Sequence, residues 1–175
     1  CAIHPTNDDI MYGCYQRARV HKSTNGGNNF SLIFDPGTVG IPASGTGVSQ
    51  TSPFVLSEAN PDILYVGTSY ISKSTNAGNS WSLMNGGNEL NGSPSISMAT
   101  SYQDEDILYV GTSPITTSAS VFLTDNGGNS FTDITNNLPD RYPVDLAVDA
   151  NNDSIIYVAL SGFGTSHIYK SEDRG

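Results

Sequence analysis

The sequence has few of the residues that mark several common protein classes. Its 175 residues include two cysteines, one tryptophan and only seven lysines and arginines. Two cysteines cannot supply the several bridges of a small disulfide-rich domain. We expect Cys1 and Cys14 to be small buried apolar residues. A bond between them across one hairpin stays open, because bonding needs directly opposed positions.

Long hydrophobic runs and helical periodicity are also missing. The apolar residues come in short runs, far below the roughly 18 residues of a membrane-spanning helix. Residues 1–5 show no signal-peptide pattern and no initiator Met, and residues 171–175 stop inside a motif that recurs earlier in the chain. We therefore expect both ends to be cuts in a longer polypeptide, so the missing signal peptide says nothing about export.

Positive charge is scarce. Seventeen Asp and Glu residues outnumber the basic residues, and the net charge is −10. Such a field repels phosphate groups, which argues against a nucleic-acid partner or an anionic lipid surface. Little lysine with abundant Asn, Ser, Thr and Gly suits a secreted or cell-surface protein, and a periplasmic one stays open.

The chain contains a repeated motif. It reads STNGGNNF, STNAGNSW, TDNGGNSF and, incompletely, SEDRG, in the segments Ser23–Phe30, Ser74–Trp81, Thr124–Phe131 and Ser171–Gly175. The copies begin 51, 50 and 47 residues apart. A second motif recurs in step with it, in the segments Asp9–Gly13, Asp62–Gly67, Asp106–Gly111 and Ser154–Ala159. Two motifs that recur four times in one order indicate a repeat protein.

Each repeat divides into four short strands. In the second repeat we predict Phe54–Ser57, Ile63–Thr68, Tyr70–Thr75 and Ser80–Met84 as strands, with Gly-containing turns between them. Four strands in about 50 residues is the arithmetic of a propeller blade. The sequence therefore predicts an all-β fold, a β-propeller fragment of about three and a half four-stranded blades.

The predicted blades cover residues 1–35, 53–86, 94–136 and 143–175, the last incomplete. They form an open arc with exposed apolar flanks, in which Tyr65, Tyr109 and Tyr157 occupy equivalent positions. The long connection 35–52 is rich in Gly, Ser, Thr and Pro. It is either a recognition loop near the central channel or a linker without contacts.

The first motif resembles the Asp-box, or BNR repeat, of sialidases, sortilin-type receptors, xyloglucan-cleaving glycoside hydrolases and photosystem II assembly factors of propeller fold. The resemblance covers almost the whole chain. It implies that the boxes are hairpins on the propeller rim, away from the ligand face. Asn stands where Asp is usual in three copies, but Asn also accepts turn hydrogen bonds. The implied structural box residues are Ser23, Asn25, Gly27, Phe30, Ser74, Asn76, Gly78, Trp81, Thr124, Asn126, Gly128, Phe131, Ser171, Asp173 and Gly175.

No catalytic set is predicted within the segment. The arginines do not form the inward triad of a sialidase; they are Arg17, Arg19, Arg141 and Arg174. The carboxylates recur in the same turn of successive repeats, which favours turn formation over paired acid–base catalysis. They are Asp8, Asp9, Asp62, Asp104, Glu105, Asp106, Asp149 and Asp153. The same clusters leave a Ca²⁺ ion open, although no known calcium loop matches, and we predict no other cofactor. His4, His21 and His167 have no metal-ligand spacing.

Two functions follow from these observations. The first is a non-catalytic propeller module of a secreted or cell-surface protein, which serves as a scaffold or binds protein or glycan. The second is part of a propeller-type glycoside hydrolase, xyloglucanase-like or sialidase-like, whose catalytic residues lie partly outside the segment. In both, the remainder of the same polypeptide is the expected partner that completes the propeller, and no membrane span is expected.

Overall fold

The chain forms four antiparallel β-sheets in sequence order. The computed structural model describes residues 1–41, 48, 50–115 and 117–175. These residues form fifteen strands and two short 3-10 helices, Pro36–Val39 and Asn85–Gly87. The predicted all-β fold of about three and a half blades is confirmed.

The first two sheets have four strands each, and each strand pairs with its neighbours in the chain. Sheet A consists of β1 (Ala2–His4), β2 (Asn7–Tyr15), β3 (Arg19–Ser23) and β4 (Ser31–Phe34). Sheet B consists of β5 (Phe54–Leu56), β6 (Leu64–Gly67), β7 (Ile71–Ser74) and β8 (Ser82–Leu83).

The third sheet repeats this order, and the fourth sheet has three strands in the described residues. Sheet C consists of β9 (Ser95–Thr100), β10 (Leu108–Thr112), β11 (Ser120–Thr124) and β12 (Thr132–Asp133). Sheet D consists of β13 (Pro143–Asp149), β14 (Asn152–Leu160) and β15 (Ile168–Ser171).

The second strands show why the sheets stack. All four residues of β6 are buried, and so are all five of β10. A strand that is buried on both faces needs a nearly continuous apolar run instead of an alternating one. The second motif of each repeat supplies that run, so sheets B and C are covered on both sides.

Three hydrophobic clusters fill the spaces between consecutive sheets. Val20 and Phe34 of sheet A pack with Val66 of sheet B. The cluster between sheets B and C contains Tyr65, Ile71, Leu108 and Val110. The cluster between sheets C and D contains Tyr109, Val121, Ile156 and Val158.

The second strand of each sheet carries a tyrosine at the same position. Tyr12 pairs with Lys22, Tyr65 with Lys73, Tyr109 with Leu123 and Tyr157 with Lys170 across the hairpin of strands two and three. Two of these hydroxyls reach the next sheet, because Tyr65 Oη donates to the carbonyl of Glu105 at 3.1 Å and Tyr109 Oη to that of Asp153 at 3.3 Å. The tyrosines therefore occupy equivalent positions and point along the stack.

The stack is open. Inner strands make the contacts from one sheet to the next, β1 with β5, β5 with β9 and β9 with β13. Among the described residues no extensive contact joins sheet A to sheet D. The chain is therefore an arc with two free flanks.

Each sheet has two ends with different connections. At one end, which we call the turn end, lie the turns between strands one and two and the repeated motif between strands three and four. At the opposite end, the loop end, lie the connections between strands two and three and the links to the next sheet. The long connection 35–52 belongs to the loop end, but its residues 42–47 and 49 lie outside the described residues, and so does the core of the proposed recognition loop.

The prediction of buried cysteines is wrong. Cys1 and Cys14 are both exposed and carry free thiols. The pairing of Ala2 with Tyr12 leaves the two cysteines out of register. Cys1 precedes β1, and Cys14 lies near the loop end of β2, where its thiol donates to the carbonyl of Ser52 at 3.7 Å.

Candidate functional site

The repeated motif closes a turn of the same geometry in all four sheets. Its first side chain accepts the amide of the residue four positions later: Gly27 N to Ser23 Oγ at 3.0 Å, and Gly78 N to Ser74 Oγ at 2.9 Å. The third and fourth copies repeat it, from Gly128 N to Thr124 Oγ1 at 3.0 Å and from Gly175 N to Ser171 Oγ at 2.8 Å. A small hydroxyl side chain is needed, because it bonds the backbone inside its own turn.

The third residue of the motif makes a second such bond. Asn76 Oδ1 accepts the amide of Ser80 at 2.8 Å, and Asn126 Oδ1 accepts that of Ser130 at 3.1 Å. Asn25 Oδ1 accepts the amide of Asn29 at 3.0 Å. In the fourth copy the Ser171 hydroxyl donates to the Asp173 carboxylate at 2.6 Å. These polar side chains are therefore engaged within their own turns.

The motif is also tied to the start of strand two in its own sheet. Backbone amides of Gly26, Ala77 and Gly127 donate to the carbonyls of Asp9, Asp62 and Asp106 at 3.1, 2.8 and 3.1 Å. Arg174 N donates to Ser154 O in the same way at 2.9 Å. The two repeated sequence motifs thus meet at the turn end.

The aromatic residue of the motif contacts the sheet before it. Trp81 Nε1 donates to Ile33 O at 2.8 Å, and its ring centroid lies 4.7 Å from that of Phe34. Phe131 packs against the cluster between sheets B and C. Phe30, in the first copy, is 48% exposed.

The fifth residue fits closely against the same neighbour. A Cβ atom on Gly78 would overlap the side chain of Ile33, and one on Gly128 would overlap Met84. Both glycines have φ near +90°, at 86° and 93°. Glycine is required at these positions by the backbone conformation and by the approach of the preceding sheet.

The acidic residues lie at the turn end, but they do not all lie in turns. Asp62, Asp104, Glu105 and Asp106 are in the connections before β6 and β10. Asp8, Asp9 and Asp153 belong to β2 and β14, and Asp149 ends β13. Sheets A and D have longer first hairpins, so the expectation of one common turn is wrong for these four residues.

Several of these residues accept backbone hydrogen bonds or pair with other side chains. Asp104 Oδ1 accepts the amide of Asp106 at 3.0 Å, and Asp149 Oδ1 accepts that of Asn151 at 2.9 Å. Asp153 pairs with Arg174 at 2.9 Å. No group of three His, Cys, Asp or Glu side chains suited to a metal ion occurs in the described ranges.

The arginines and histidines are dispersed. Arg19 pairs with Asp35 at 2.7 Å in sheet A, and the Arg141 guanidinium donates to the carbonyl of Asp140 at 2.9 Å. Arg17 lies between β2 and β3 of the same sheet. His4 is on β1 and His21 on β3, whereas His167 precedes β15. The structure does not bring these residues together.

Buried tyrosines are the most perturbed titratable groups. Burial first, and the Asp106 carboxylate after it, raise the pKa of Tyr65 far above its usual value. Burial also raises the pKa of Tyr109 to about 12. Both hydroxyls stay protonated at physiological pH and act as hydrogen-bond donors between sheets.

The loop end carries exposed apolar residues that the sequence did not single out. Phe163 is 93% exposed in the connection between β14 and β15, and Tyr142 and Ile115 are 44% and 60% exposed in neighbouring connections. Ser161 N bonds to Tyr142 O at 3.0 Å, which brings two of these connections together. Exposed apolar side chains at one end of the sheets are a feature of interaction surfaces.

An inner cavity of about 200 Å³ opens beside the first strands of sheets B, C and D. It is lined by β5, β9 and β13, and Glu58 and Tyr102 stand at its edge. This cavity lies on the channel side of the arc, and Glu58 contributes a carboxyl group to its lining. The described residues contain no helix long and apolar enough to cross a membrane.

Solved structures share this arrangement. An ancestral GH74 enzyme matches 98% of this chain with a TM-score of 0.72 and 23% identity, over 22% of its own length. The GH74 enzyme of Niastella koreensis matches 96% with a TM-score of 0.65 and 24% identity, over 27% of its length. The GH74 xyloglucanase from Xanthomonas campestris matches 99% with a TM-score of 0.50 and 14% identity, over 36% of its length.

No protein-family model matches the sequence, and no curated protein matches it. The chain spans between 22% and 36% of the length of these structural relatives. At such identities the similarity establishes the fold alone: the chain is part of a β-propeller.

Proposed function

We propose that the chain is a non-catalytic module of an Asp-box propeller from a secreted or cell-surface protein, which serves as a scaffold or binds protein or glycan. The observation that carries the proposal is that the motif side chains form hydrogen bonds with the backbone of their own turns. Ser23, Asn25, Ser74 and Asn76, for example, bond amides of their own turns. A side chain whose acceptors are already occupied by the backbone is a poor candidate for binding substrate.

The exposed apolar side chains support a binding role at the opposite end of the sheets. Phe163 and Tyr142 lie at the loop end, whereas the four motifs lie at the turn end. Aromatic side chains suit both protein and glycan partners, because they present a large rigid apolar surface. The proposed ligand face of the module is therefore the loop end, whereas the boxes lie at the opposite, turn end.

A glycoside hydrolase is the second candidate. The structural relatives are GH74 enzymes, one of them a xyloglucanase. Such catalysis needs two carboxyl groups facing one glycosidic bond, about 5–9.5 Å apart. The turn-end carboxylates Asp104, Asp149 and Asp153 are engaged by amides or by Arg174, which fits a hydrolase whose catalytic residues lie partly outside the segment.

The two candidates give opposite results with xyloglucan oligosaccharides as the probe. For a binding module we expect measurable binding by calorimetry without release of reducing ends. Phe163→Ala should weaken that binding at unchanged melting temperature. Because the hydrolase relies partly on residues beyond the segment, it predicts release of reducing ends by the full polypeptide that completes the propeller, whereas the binding module predicts none. If the oligosaccharides do not bind at all, the module is left with a scaffold or protein-binding role.

A second experiment tests the structural role of the boxes. Asn76→Ala and Asn126→Ala should each lower the free energy of unfolding by about 1 kcal/mol, because turn amides lose their acceptor. Neither variant should change ligand affinity once folded. A large loss of affinity at unchanged melting temperature would place the ligand at the boxes and contradict the proposal.

A further inference from the structure

Three segments of the chain share the sequence Asn-Gly-Gly-Asn. Two of them lie in the repeated motif, at residues 25–28 and 126–129, and the third, at residues 85–88, lies in the link that follows β8. Asn is a thermolabile residue, and a following Gly favours its breakdown, because no Cβ shields the glycine nitrogen and the backbone moves freely. Since the local sequence is the same, a difference in reactivity among the three must come mainly from the fold.

The two motif asparagines are held away from attack by the next main-chain nitrogen. In the first motif Gly26 N donates to the carbonyl of Asp9 at 3.1 Å, and Asn25 Oδ1 accepts the amide of Asn29 at 3.0 Å. Asn126 in the third motif makes the equivalent side-chain bond, and the amide after it is bonded to strand two in the same way. Both bonds must open before the nitrogen reaches the side-chain carbonyl carbon.

Asn85 has neither restraint. Gly86 N donates no hydrogen bond within the described part of the chain, and the Asn85 side chain makes one there, from Nδ2 to the carbonyl of Glu89 at 3.3 Å. Asn85, Gly86 and Gly87 all have positive φ, at 56°, 61° and 81°, in a tight turn outside the strands. Exposure alone would rank the sites the other way, since Asn25 and Asn126 are exposed and Asn85 is half-buried.

A fourth Asn-Gly step lies further along the same link, with Ser in place of the second Gly. The side chain of Asn91 makes two hydrogen bonds, from Nδ2 to Thr112 Oγ1 at 3.0 Å and to Oδ1 from the amide of Ser93 at 3.1 Å. We therefore expect Asn91 to be less reactive than Asn85.

We propose that Asn85 is the site at which the folded chain deamidates. Gly86 N gives up its proton to base and attacks Cγ of Asn85, so that a new N–C bond closes a five-membered succinimide. The bond from Cγ to the side-chain nitrogen breaks, and that nitrogen takes up a proton and leaves as ammonia. Water then opens the ring at either carbonyl, and the product at position 85 is aspartate or isoaspartate.

The two products differ in their effect on the contact between sheets B and C. Asn85 N donates to the carbonyl of Gly128 in the third motif at 2.7 Å. Isoaspartate carries the main chain through the former side chain and adds one methylene group to it, which displaces the turn after this bond. Aspartate keeps the chain length and adds only a charge. Isoaspartate should therefore weaken this contact more than aspartate does.

The proposal is tested by following the three identical segments in one molecule. The chain is kept at mildly alkaline pH, in buffer and in urea, and peptides are mapped by mass spectrometry with electron-transfer fragmentation, which separates isoaspartate from aspartate. In buffer, Asn25 and Asn126 should react at least about tenfold more slowly than Asn85, because their hydrogen bonds must open first. In urea the three should react at similar rates.

One variant tests the cause of the protection. The Ser23 hydroxyl accepts the amide of Gly27 and donates to Asn25 Oδ1, both at 3.0 Å, so Ser23→Ala loosens the first motif. It should speed up the reaction at Asn25 several-fold in buffer, while Asn126 in the same molecule keeps its rate. The unchanged rate at Asn126 is the control for a retained fold.

Three results would overturn the proposal. The first is a motif asparagine that reacts as fast as Asn85 in buffer. The second is the same ranking in urea, which would assign the difference to the preceding residue instead of the fold. The third is an unchanged rate at Asn25 in Ser23→Ala. None of these results bears on ligand binding at the loop end, because the reaction needs only the link after β8.

Discussion

Tyr65 and Tyr157 occupy the same position in sheets B and D, yet Tyr65 is 1% exposed and Tyr157 is 37% exposed. Each faces a lysine across its hairpin, with the ammonium 5.6 Å from the ring of Tyr65 and 5.9 Å from that of Tyr157. The local geometry of the repeat is thus the same in both sheets. What differs is the next sheet, which covers Tyr65 and accepts a hydrogen bond from its hydroxyl.

Sheet A shows the same difference in burial, on the face that points away from sheet B. Phe30 and Leu32 are 48% and 51% exposed, and Ile3 is 57% exposed. These residues lie on the face that a preceding sheet covers in sheets B and C. A repeat therefore carries an interface on each face, and its contribution to stability depends on whether a neighbour is present. Paired substitutions at equivalent positions test this directly.

The largest difference is expected for the motif aromatics. Trp81→Ala should lower the free energy of unfolding by about 3 kcal/mol, the low end for a large aromatic, because the ring is only partly buried. Phe30→Ala removes an exposed ring and should cost less than about 1 kcal/mol. Urea unfolding of both variants measures the difference. Equal losses would mean that the aromatic acts within its own turn.

A second pair concerns the motif glycines. Gly78 and Gly27 have nearly the same positive φ, 86° and 82°, so alanine strains both backbones alike, by about 1–2 kcal/mol. Only at Gly78 would the new Cβ overlap a neighbouring sheet, at Ile33; at Gly27 the nearest atom is the Met11 sulfur at 3.4 Å. Gly78→Ala should therefore cost about 2 kcal/mol more than Gly27→Ala by urea unfolding. If the two variants have the same stability, the interface adapts without cost.

The strand order could be predicted from the sequence because two motifs recur at a nearly constant interval. The motif at Ser74 to Trp81 indicates a hairpin, and the apolar run at Ile63 to Gly67 indicates a strand covered on both faces. Both signals are local, so they appear in a single chain without any knowledge of packing.

Burial at the flanks and contacts between sheets could not be predicted in this way. Cysteine is often a core residue, but Cys14 is exposed because it lies near the loop end of β2, and the sequence does not show where along the sheet the covered part ends. The bond from Tyr65 Oη to the carbonyl of Glu105 joins residues forty positions apart. The exposed Phe163 at the loop end has no counterpart in the other repeats, and a periodic pattern cannot indicate a feature that occurs once.

A third pair compares tyrosine hydroxyls. Tyr65→Phe removes a hydrogen bond to sheet C and should cost about 1 kcal/mol. Tyr12 Oη is buried without a hydrogen-bond partner among the described residues. Tyr12→Phe should therefore be neutral or stabilise the chain by up to about 1 kcal/mol, because no bond is lost and a buried polar atom is removed. Thermal unfolding of the two variants gives the comparison, and a loss at Tyr12 equal to that at Tyr65 would show that both hydroxyls are bonded in solution.

The smallest expected effect concerns the fourth motif, the only copy with a titratable side chain at its third position. The Ser171 hydroxyl first, and the Gly175 amide after it, hold the pKa of the Asp173 carboxyl below its usual value. Because the folded pKa is lowered, the bonded carboxylate favours the turn above the ordinary Asp value of about 4, and that contribution is lost as pH falls through the lower folded pKa. Turns with Asn25, Asn76 and Asn126 should show no such dependence. Carbon-detected NMR titration should give an Asp173 pKa below the ordinary value, and Ser171→Ala should move it back towards that value. An Asp173 pKa at or above the ordinary value would mean that the fourth turn is not formed in solution.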